Sequence, residues 1–150
     1  MLGELNKEQI EHILTANVVG RIGCYADGKV YVVPVTYIYD DGYIIGHTGE
    51  GMKVKMLRKN PDCCFEVDSM QNMANWQSVI AWGKFEELHG EEASNAMHKL
   101  INKLLPFMTS QTSQPSHGVS QTTHATDTHL VKAVVYRIKL ETKTGRFEKR

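Results

Sequence analysis

The segment 47–53, HTGEGMK, contains the side chains best suited to binding an anion. His47 and Thr48 end a predicted strand, glycines form the turn after it, and Lys53 lies in the first turn of a predicted helix. Phosphate binds to unpaired amides at a helix N-terminus, to side-chain donors and to a positive charge. The alternative is an ordinary strand-to-helix turn with a solvated lysine, and Glu50 inside the turn opposes an anion. The segment is neither a Walker loop nor a dinucleotide-binding fingerprint.

A second feature is the apolar segment 31–37, YVVPVTY, which has a proline in its middle. Pro34 cannot donate a hydrogen bond to a neighbouring strand, so the sheet must open, bulge or present an edge beside it. Exposed backbone groups next to apolar side chains suit a flat heteroaromatic ligand, which needs a few directed hydrogen bonds and much apolar contact. A bulge in a buried barrel strand explains the same pattern equally well.

A third feature is Trp76 with Ser78 at the start of a predicted strand. A tryptophan in this position is more often a core or interface residue than the wall of a ligand site. Catalytic groups that meet only in space cannot be named from spacing, so we predict no catalytic residue.

Three histidines in the polar segment 109–129 raise the question of a metal site. They are His117, His124 and His129. Their spacings of seven and five residues do not place two ligands on one regular element, and no cysteine or carboxylate pair completes a ligand set. We therefore predict no metal site.

Composition and charge exclude several classes of protein. The chain has 150 residues, of which 41% are hydrophobic and 23% charged, and its 17 basic residues balance its 17 acidic ones. This length predicts one domain over residues 1–150. The composition excludes a disordered chain, and the zero net charge offers no basic surface for nucleic acid.

The cysteines and the apolar runs predict a compartment. Cys24, Cys63 and Cys64 are odd in number and are interpreted as structural thiols, which favours the cytoplasm. The first residues contain no basic start followed by an apolar run, so we expect no secretory signal. The longest apolar stretch, 31–39, is about half as long as a membrane-spanning helix, so we expect no membrane partner.

The elements that must position these residues follow from turn signals and periodicity. A capping box at Asn6 predicts a helix ending near Asn17. Two Asp-Gly pairs separate β-branched and aromatic runs and predict three antiparallel strands. Six strands are predicted in all, at 19–26, 30–40, 43–48, 63–67, 76–88 and from 134 onward. The strand 76–88 has a bulge or close approach at Gly83, and the last strand alternates apolar and polar residues. Further helices are predicted at 52–59 and 93–105. Together they predict a mainly β fold, a six-stranded antiparallel barrel with peripheral helices.

Several of these motifs, taken in order, resemble a known superfamily. They are VGRIG at 19–23, DGKVYVVPV at 27–35, GYIIGHT at 42–48, GMK at 51–53, WQSV at 76–79 and YRIK at 136–139. Their order resembles the pyridoxamine 5′-phosphate oxidase-like flavin-binding split-barrel superfamily, and within it the nitroimidazole-resistance-protein-like group. The resemblance covers nearly the whole chain, and its specificity lies in the order of the motifs.

The resemblance implies a fold, a cofactor and an assembly. It implies a six-stranded split β-barrel of the FMN-binding type, and a homodimer that holds FMN in two clefts at the subunit interface. Three sets of residues are implied to contact FMN: His47, Thr48 and Lys53 at the phosphate and ribityl end, Val35, Thr36 and Tyr37 along the isoalloxazine through backbone groups, and Trp76 and Ser78 from the partner subunit. The Arg-x-His motif of the true pyridoxamine phosphate oxidases is absent from 146–150, so vitamin B6 oxidation is not implied.

Four hypotheses about function remain open from the sequence. The first is an FMN-dependent oxidoreductase that reduces a small nitroaromatic or quinone-like substrate. The second is a flavin-binding protein without catalytic activity, and the third is a haem-binding split barrel that uses a histidine of 109–129. The fourth is a dimeric barrel scaffold without a cofactor.

Overall fold

The helices and strands lie largely where turn signals and hydrophobic periodicity place them. The computed structural model describes residues 1–107 and 133–150. The strands are β1 Leu2–Glu4, β2 Val19–Ala26, β3 Lys29–Thr36, β4 Ile38–Asp40, β5 Tyr43–Thr48, β6 Asp62–Asn72, β7 Asn75–Leu88 and β8 Val134–Glu148. The helices are α1 Lys7–Ala16, α2 Met52–Lys59 and α3 Gly90–Leu104, followed by a 3-10 turn at Leu105–Phe107.

Local chemistry explains how the first elements begin and turn. The side chain of Asn6 accepts a hydrogen bond from the amide of Gln9, and the side chain of Gln9 accepts one from the amide of Asn6, so the predicted capping box is confirmed. The two Asp-Gly turns have positive φ at both central residues, 53° and 76° at 27–28 and 46° and 85° at 41–42. This is the geometry whose twist matches a β-hairpin.

The strand predicted over 30–40 is wrong in one respect, because it is two strands. β3 pairs with β2, whereas β4 pairs with β5 at the other end of the sheet order β3-β2-β6-β7-β8-β5-β4. Tyr37 separates them: its amide donates to the carbonyl of Val18, and its side chain enters the core. With β1, which the periodicity did not predict, this division accounts for eight strands instead of six in the described residues.

The sheet curls around one core but does not close. The edge strand β3 and the β4–β5 pair are the two ends of the sheet, and no hydrogen-bonded ladder between described residues joins them. We call this gap the split. The inner faces of the strands fill the core, in which Tyr37 and Phe65 meet edge to face with ring centroids 4.7 Å apart. The predicted mainly β split-barrel fold with peripheral helices is confirmed.

Two details of the long strands matter for the site. The bulge predicted at Gly83 is confirmed, since the register of β7 on β8 shifts between Trp82 and Gly83. The predicted alternation along β8 fails at Val135, which is buried because α3 packs over this part of the sheet. Leu100 and Leu104 of α3 lie in the same cluster, so the predicted apolar face of that helix is confirmed.

Candidate functional site

A surface depression lies at the split, between the edge of β3 and the turn from β5 into α2. Its volume is about 190 Å³, and it is lined by Tyr31, Val33, Thr48, Gly49, Glu50, Gly51, Met52 and Lys53. Two of the three sequence candidates therefore meet here: the 47–53 turn and the proline-containing strand. They meet across the split and not within one hairpin, because β5 pairs with β4 and β8.

Lys53 is the charged group that makes this depression unusual. Its side chain is half-buried, and burial lowers the pKa of its ammonium below the ordinary lysine value, with a smaller opposing influence of Cys24. Among the described residues, no hydrogen bond or ion pair to the ammonium is present. A desolvated cation without a partner is a strong attractor for an anion, because an anion restores the electrostatic stabilisation that burial removed.

From the sequence, Glu50 counts against an anion site, but in the structure its charge is paired with Arg58. The Arg58 guanidinium donates from Nη1 and Nη2 to the two oxygens of Glu50, each at 2.8 Å. Arg58 also contacts Glu87 through Nε, and its Nη2 lies 3.3 Å from the other oxygen of Glu87. A bidentate arginine holds a carboxylate in a defined direction, so the charge of Glu50 is fixed against Arg58.

The remaining groups of the turn offer hydrogen bonds. Gly51 is the N-cap of α2, and no side chain caps the helix there. The first amides of a helix have no partner within the helix, and together they favour negative charge. Thr48 is half-buried, and its hydroxyl donates to the carbonyl of Gly49 at 3.2 Å. His47, also half-buried, lies opposite Val135 in the pairing of β5 with β8.

The segment Val35, Thr36 and Tyr37 lies at the end of β3, where the chain leaves this edge. The side chains of Val35 and Tyr37 are buried in the core, and the Tyr37 hydroxyl donates to the carbonyl of Leu14 at 2.8 Å. Thr36 is exposed and pairs with Val19. Because β3 pairs only with β2 among the described strands, its other edge presents backbone groups to the split. Contact with a ligand through these backbone groups stays a prediction.

Trp76 and Ser78 lie elsewhere in the same chain. The indole of Trp76 donates to Glu148 at 3.2 Å, beside a separate depression of about 260 Å³ at the far end of the β6–β7 hairpin. No residue lines both this depression and the one at Lys53. Both side chains are on the outer face of β7, the face that also carries Ile80 and Trp82.

This outer face of the sheet is rich in exposed apolar side chains. One row runs across four strands through Val32, Gly23, Cys64 and Trp82, which are register partners. Val32 is 64% exposed and Trp82 45%, and Val30 in the next row is 71% exposed. Neighbouring exposed apolar side chains of this kind are typical of interaction surfaces. We call it the outer apolar face.

The arginine that controls the turn was missed by sequence reasoning. Arg58 was assigned only to the short helix 52–59, and its partners Glu50 and Glu87 are 8 and 29 residues away. An arginine at the end of a helix usually interacts with the helix dipole, so its position alone carried no signal for a contact with the turn.

Comparison with known proteins decides the family. The family model described as pyridoxamine 5′-phosphate oxidase matches residues 6–147. The chain belongs to this family.

Two proteins of known structure share the fold. An FAD-binding protein from Mesorhizobium loti superposes with a TM-score of 0.79 at 26% identity, covering 100% of this chain and 98% of its own. A candidate 5-nitroimidazole antibiotic resistance protein from Bacteroides thetaiotaomicron superposes with a TM-score of 0.71 at 21% identity, covering 98% of this chain and 87% of its own.

A curated relative matches over a shorter length. An uncharacterized protein from Rhizobium meliloti is 25% identical over 84 residues, which is 56% of this chain and 56% of the relative. The match thus spans little more than half the length of that relative.

Two further groups of predictions concern metals and membranes. Within residues 1–107 and 133–150, no group of three histidine, cysteine or acidic side chains is arranged to hold a metal ion. In the same residues, no helix is long and apolar enough to span a bilayer. The segment 109–129, with its three histidines, lies outside the described residues.

Proposed function

We propose that this family member is an FMN-binding homodimer that reduces a small nitroaromatic or quinone-like molecule. The observation that carries the proposal is Lys53, a half-buried ammonium with no described partner, in a turn whose own carboxylate is neutralised by Arg58. The names of the two structural relatives, one FAD-binding and one a candidate nitroimidazole resistance protein, support a flavin and a nitroaromatic substrate.

The residues of the depression fit the phosphate end of FMN. A phosphomonoester dianion requires a cation and several hydrogen-bond donors. Lys53 and the uncapped amides of α2 supply them, together with the hydroxyl of Thr48 once it rotates away from the carbonyl of Gly49. His47 lies next to Thr48 and is assigned to the same end of the ligand. One lysine beside the uncapped amides of α2 suits a single terminal phosphate, so we assign FMN as the flavin.

The edge of β3 suits the flat part of the same ligand. Isoalloxazine has polar atoms on one rim and apolar faces, and an edge strand offers backbone donors and acceptors beside apolar side chains. We assign this role to the backbone of Val35, Thr36 and Tyr37. Tyr31 and Val33 already line the depression from the same strand, so one ligand spans both regions.

A second copy of the chain completes the site in this proposal. Trp76 and Ser78 lie on the side of β7 that is continuous with the outer apolar face, and they share no depression with Lys53 in one chain. Burying the outer apolar face against a partner removes Val30, Val32 and Trp82 from water, which stabilises a dimer. The partner subunit then brings its own Trp76 and Ser78 to the flavin.

The protein contributes binding and orientation to the chemistry. When bound, flavin supplies hydride or electron transfer to the substrate. The lysine and the helix amides hold the phosphate end, and the edge of β3 orients the ring. Cys24 and Cys63, which are free although they are register partners on β2 and β6, agree with a reducing compartment, so we assign the protein to the cytoplasm.

Absorption spectroscopy with identification of the released cofactor tests this proposal. We expect a yellow dimer with flavin absorbance, from which heat releases FMN. Under anaerobic conditions NADH or NADPH should bleach the flavin, and a nitroaromatic compound should then reoxidise it. Colourless protein that does not take up FMN refutes the binding. Stable flavin that no nicotinamide donor or partner reductase bleaches supports a flavin-binding protein without catalytic activity, and a Soret band supports the haem-binding alternative.

A further inference from the structure

Arg58 holds the one carboxylate that lies in the anion-binding turn. Its two Nη–Glu50 hydrogen bonds are both 2.8 Å long, and Glu87 at the end of β7 holds the guanidinium from the other side. Glu50 lines the same depression as Lys53. Two carboxylates therefore approach one guanidinium beside a site for which we propose a phosphate ligand.

We propose that Arg58 is a specificity-determining residue that makes the Lys53 site selective for a flavin with a terminal phosphate. This inference rests on the proposed function and deepens it. Arg58 acts through Glu50: it is a positioning residue that keeps the carboxylate neutralised and directed along α2.

The charges of the turn explain why this neutralisation is required. Arg58 pairs with both Glu50 and Glu87, and Lys53 lines the same depression as Glu50. Without Arg58 both carboxylates lose this pairing, and Glu50 can turn towards Lys53. Both effects oppose a dianion, because like charges repel and because Lys53 is no longer available to the phosphate.

Arg58 contributes little to the stability of the fold. The side chain of Arg58 is 41% exposed, and exposed ion pairs contribute little to stability. Helix α2 is held mainly by its buried apolar residues Val54, Met56 and Leu57. Loss of Arg58 is therefore expected to leave the fold intact and to change the charge of the turn.

Titration of the apo-protein with FMN and with riboflavin separates these roles. Riboflavin has the same ring and ribityl chain but no phosphate. We expect Arg58→Gln to weaken FMN binding by roughly three- to tenfold at low salt, the range for removing one partly exposed charge. Riboflavin binding should change by less than about twofold. The effect on FMN should shrink at high salt, because exposed charges are screened.

A double variant tests whether Arg58 acts through Glu50. In Glu50→Gln with Arg58→Gln, the carboxylate of the turn is absent, and we expect FMN affinity within about twofold of the wild type. Lys59→Gln is the matched control, because Lys59 is the next cation along α2 and pairs with Asp27 away from the depression. It should leave FMN affinity unchanged.

Three results overturn the inference. They are an unchanged FMN affinity in Arg58→Gln, an equal loss for riboflavin, and a double variant as weak as Arg58→Gln. A wild-type protein that binds neither FMN nor riboflavin instead refutes the proposed function itself, so the two failures are distinguishable.

Discussion

Replacing Lys53 by methionine tests the centre of the proposed site. Methionine keeps the length and flexibility of the side chain and removes its charge. The half-buried ammonium has no described partner, so the change breaks no described ion pair in the apo-protein. It also removes a charge that burial disfavours, so the free energy of unfolding of the apo-protein should stay constant or increase.

Lys53→Met should weaken FMN binding strongly, although it does not destabilise the apo-protein. A hydrogen bond to a charged partner contributes about 1.5–3 kcal/mol, and each 1.4 kcal/mol corresponds to a tenfold change in the dissociation constant. We therefore expect Lys53→Met to weaken FMN binding by roughly 10- to 150-fold. Riboflavin, which has no phosphate, should bind to the variant as it does to the wild type. The quenching of flavin fluorescence on binding measures both constants.

The pH dependence of binding provides a second, independent measurement. Burial lowers the pKa of Lys53 in the free protein, so the ammonium loses its proton at a lower pH than an ordinary lysine does. FMN affinity should therefore fall as pH rises through this lowered pKa, and in Lys53→Met it should not. Over the same interval the unfolded chain holds more protons than the folded chain, so the stability of the apo-protein should rise with pH.

A matched lysine on the same helix separates the site from general charge. Lys55 is exposed on α2, two residues beyond Lys53. Lys55→Met should leave FMN affinity within about twofold, the range for a screened surface charge. If Lys53→Met and Lys55→Met weaken FMN equally, or if Lys53→Met weakens riboflavin as much as FMN, Lys53 does not bind the phosphate.

Further predictions concern the core and the outer face. The Tyr136 hydroxyl is buried without a described hydrogen-bond partner, whereas the Tyr37 hydroxyl donates to the carbonyl of Leu14. In urea denaturation, Tyr136→Phe should therefore be as stable as the wild type, and Tyr37→Phe should be less stable by roughly 1 kcal/mol. Gly83→Ala should destabilise the fold by roughly 2–3 kcal/mol in the same assay, because an added Cβ would lie 2.2 Å from a carbonyl oxygen of β8. Trp82→Glu on the outer apolar face should shift sedimentation from dimer to monomer and weaken FMN binding; a variant that stays dimeric would exclude this face as the interface.

The elements of the fold were accessible from the sequence because their signals are local. A capping box, two Asp-Gly turns and the helical period of α3 each involve residues within a few positions of one another. Pro34 predicted an opening, a bulge or an edge, because a missing backbone donor has the same consequence in any sheet. The structure shows the edge. The break at Tyr37 was missed, because its cause is a hydrogen bond to Val18 and a place in the core, both of which depend on distant residues.

The candidate site was predictable only in part for the same reason. The sequence identified Lys53 and the turn, but it counted Glu50 against an anion and assigned no role to Arg58. The contact that reverses this judgement joins the turn to the last turn of α2 and to Glu87 on β7.

The sequence by itself determined most of the elements, the turn with its lysine and the family resemblance, because each is carried by residue types at short spacing. The tertiary structure decided which of these features meet. It placed the edge of β3 across the split from Lys53, buried that ammonium enough to lower its pKa, and directed Trp76 away to the outer face of the sheet. These outcomes depend on strand order and burial, which arise from contacts between residues far apart in the chain.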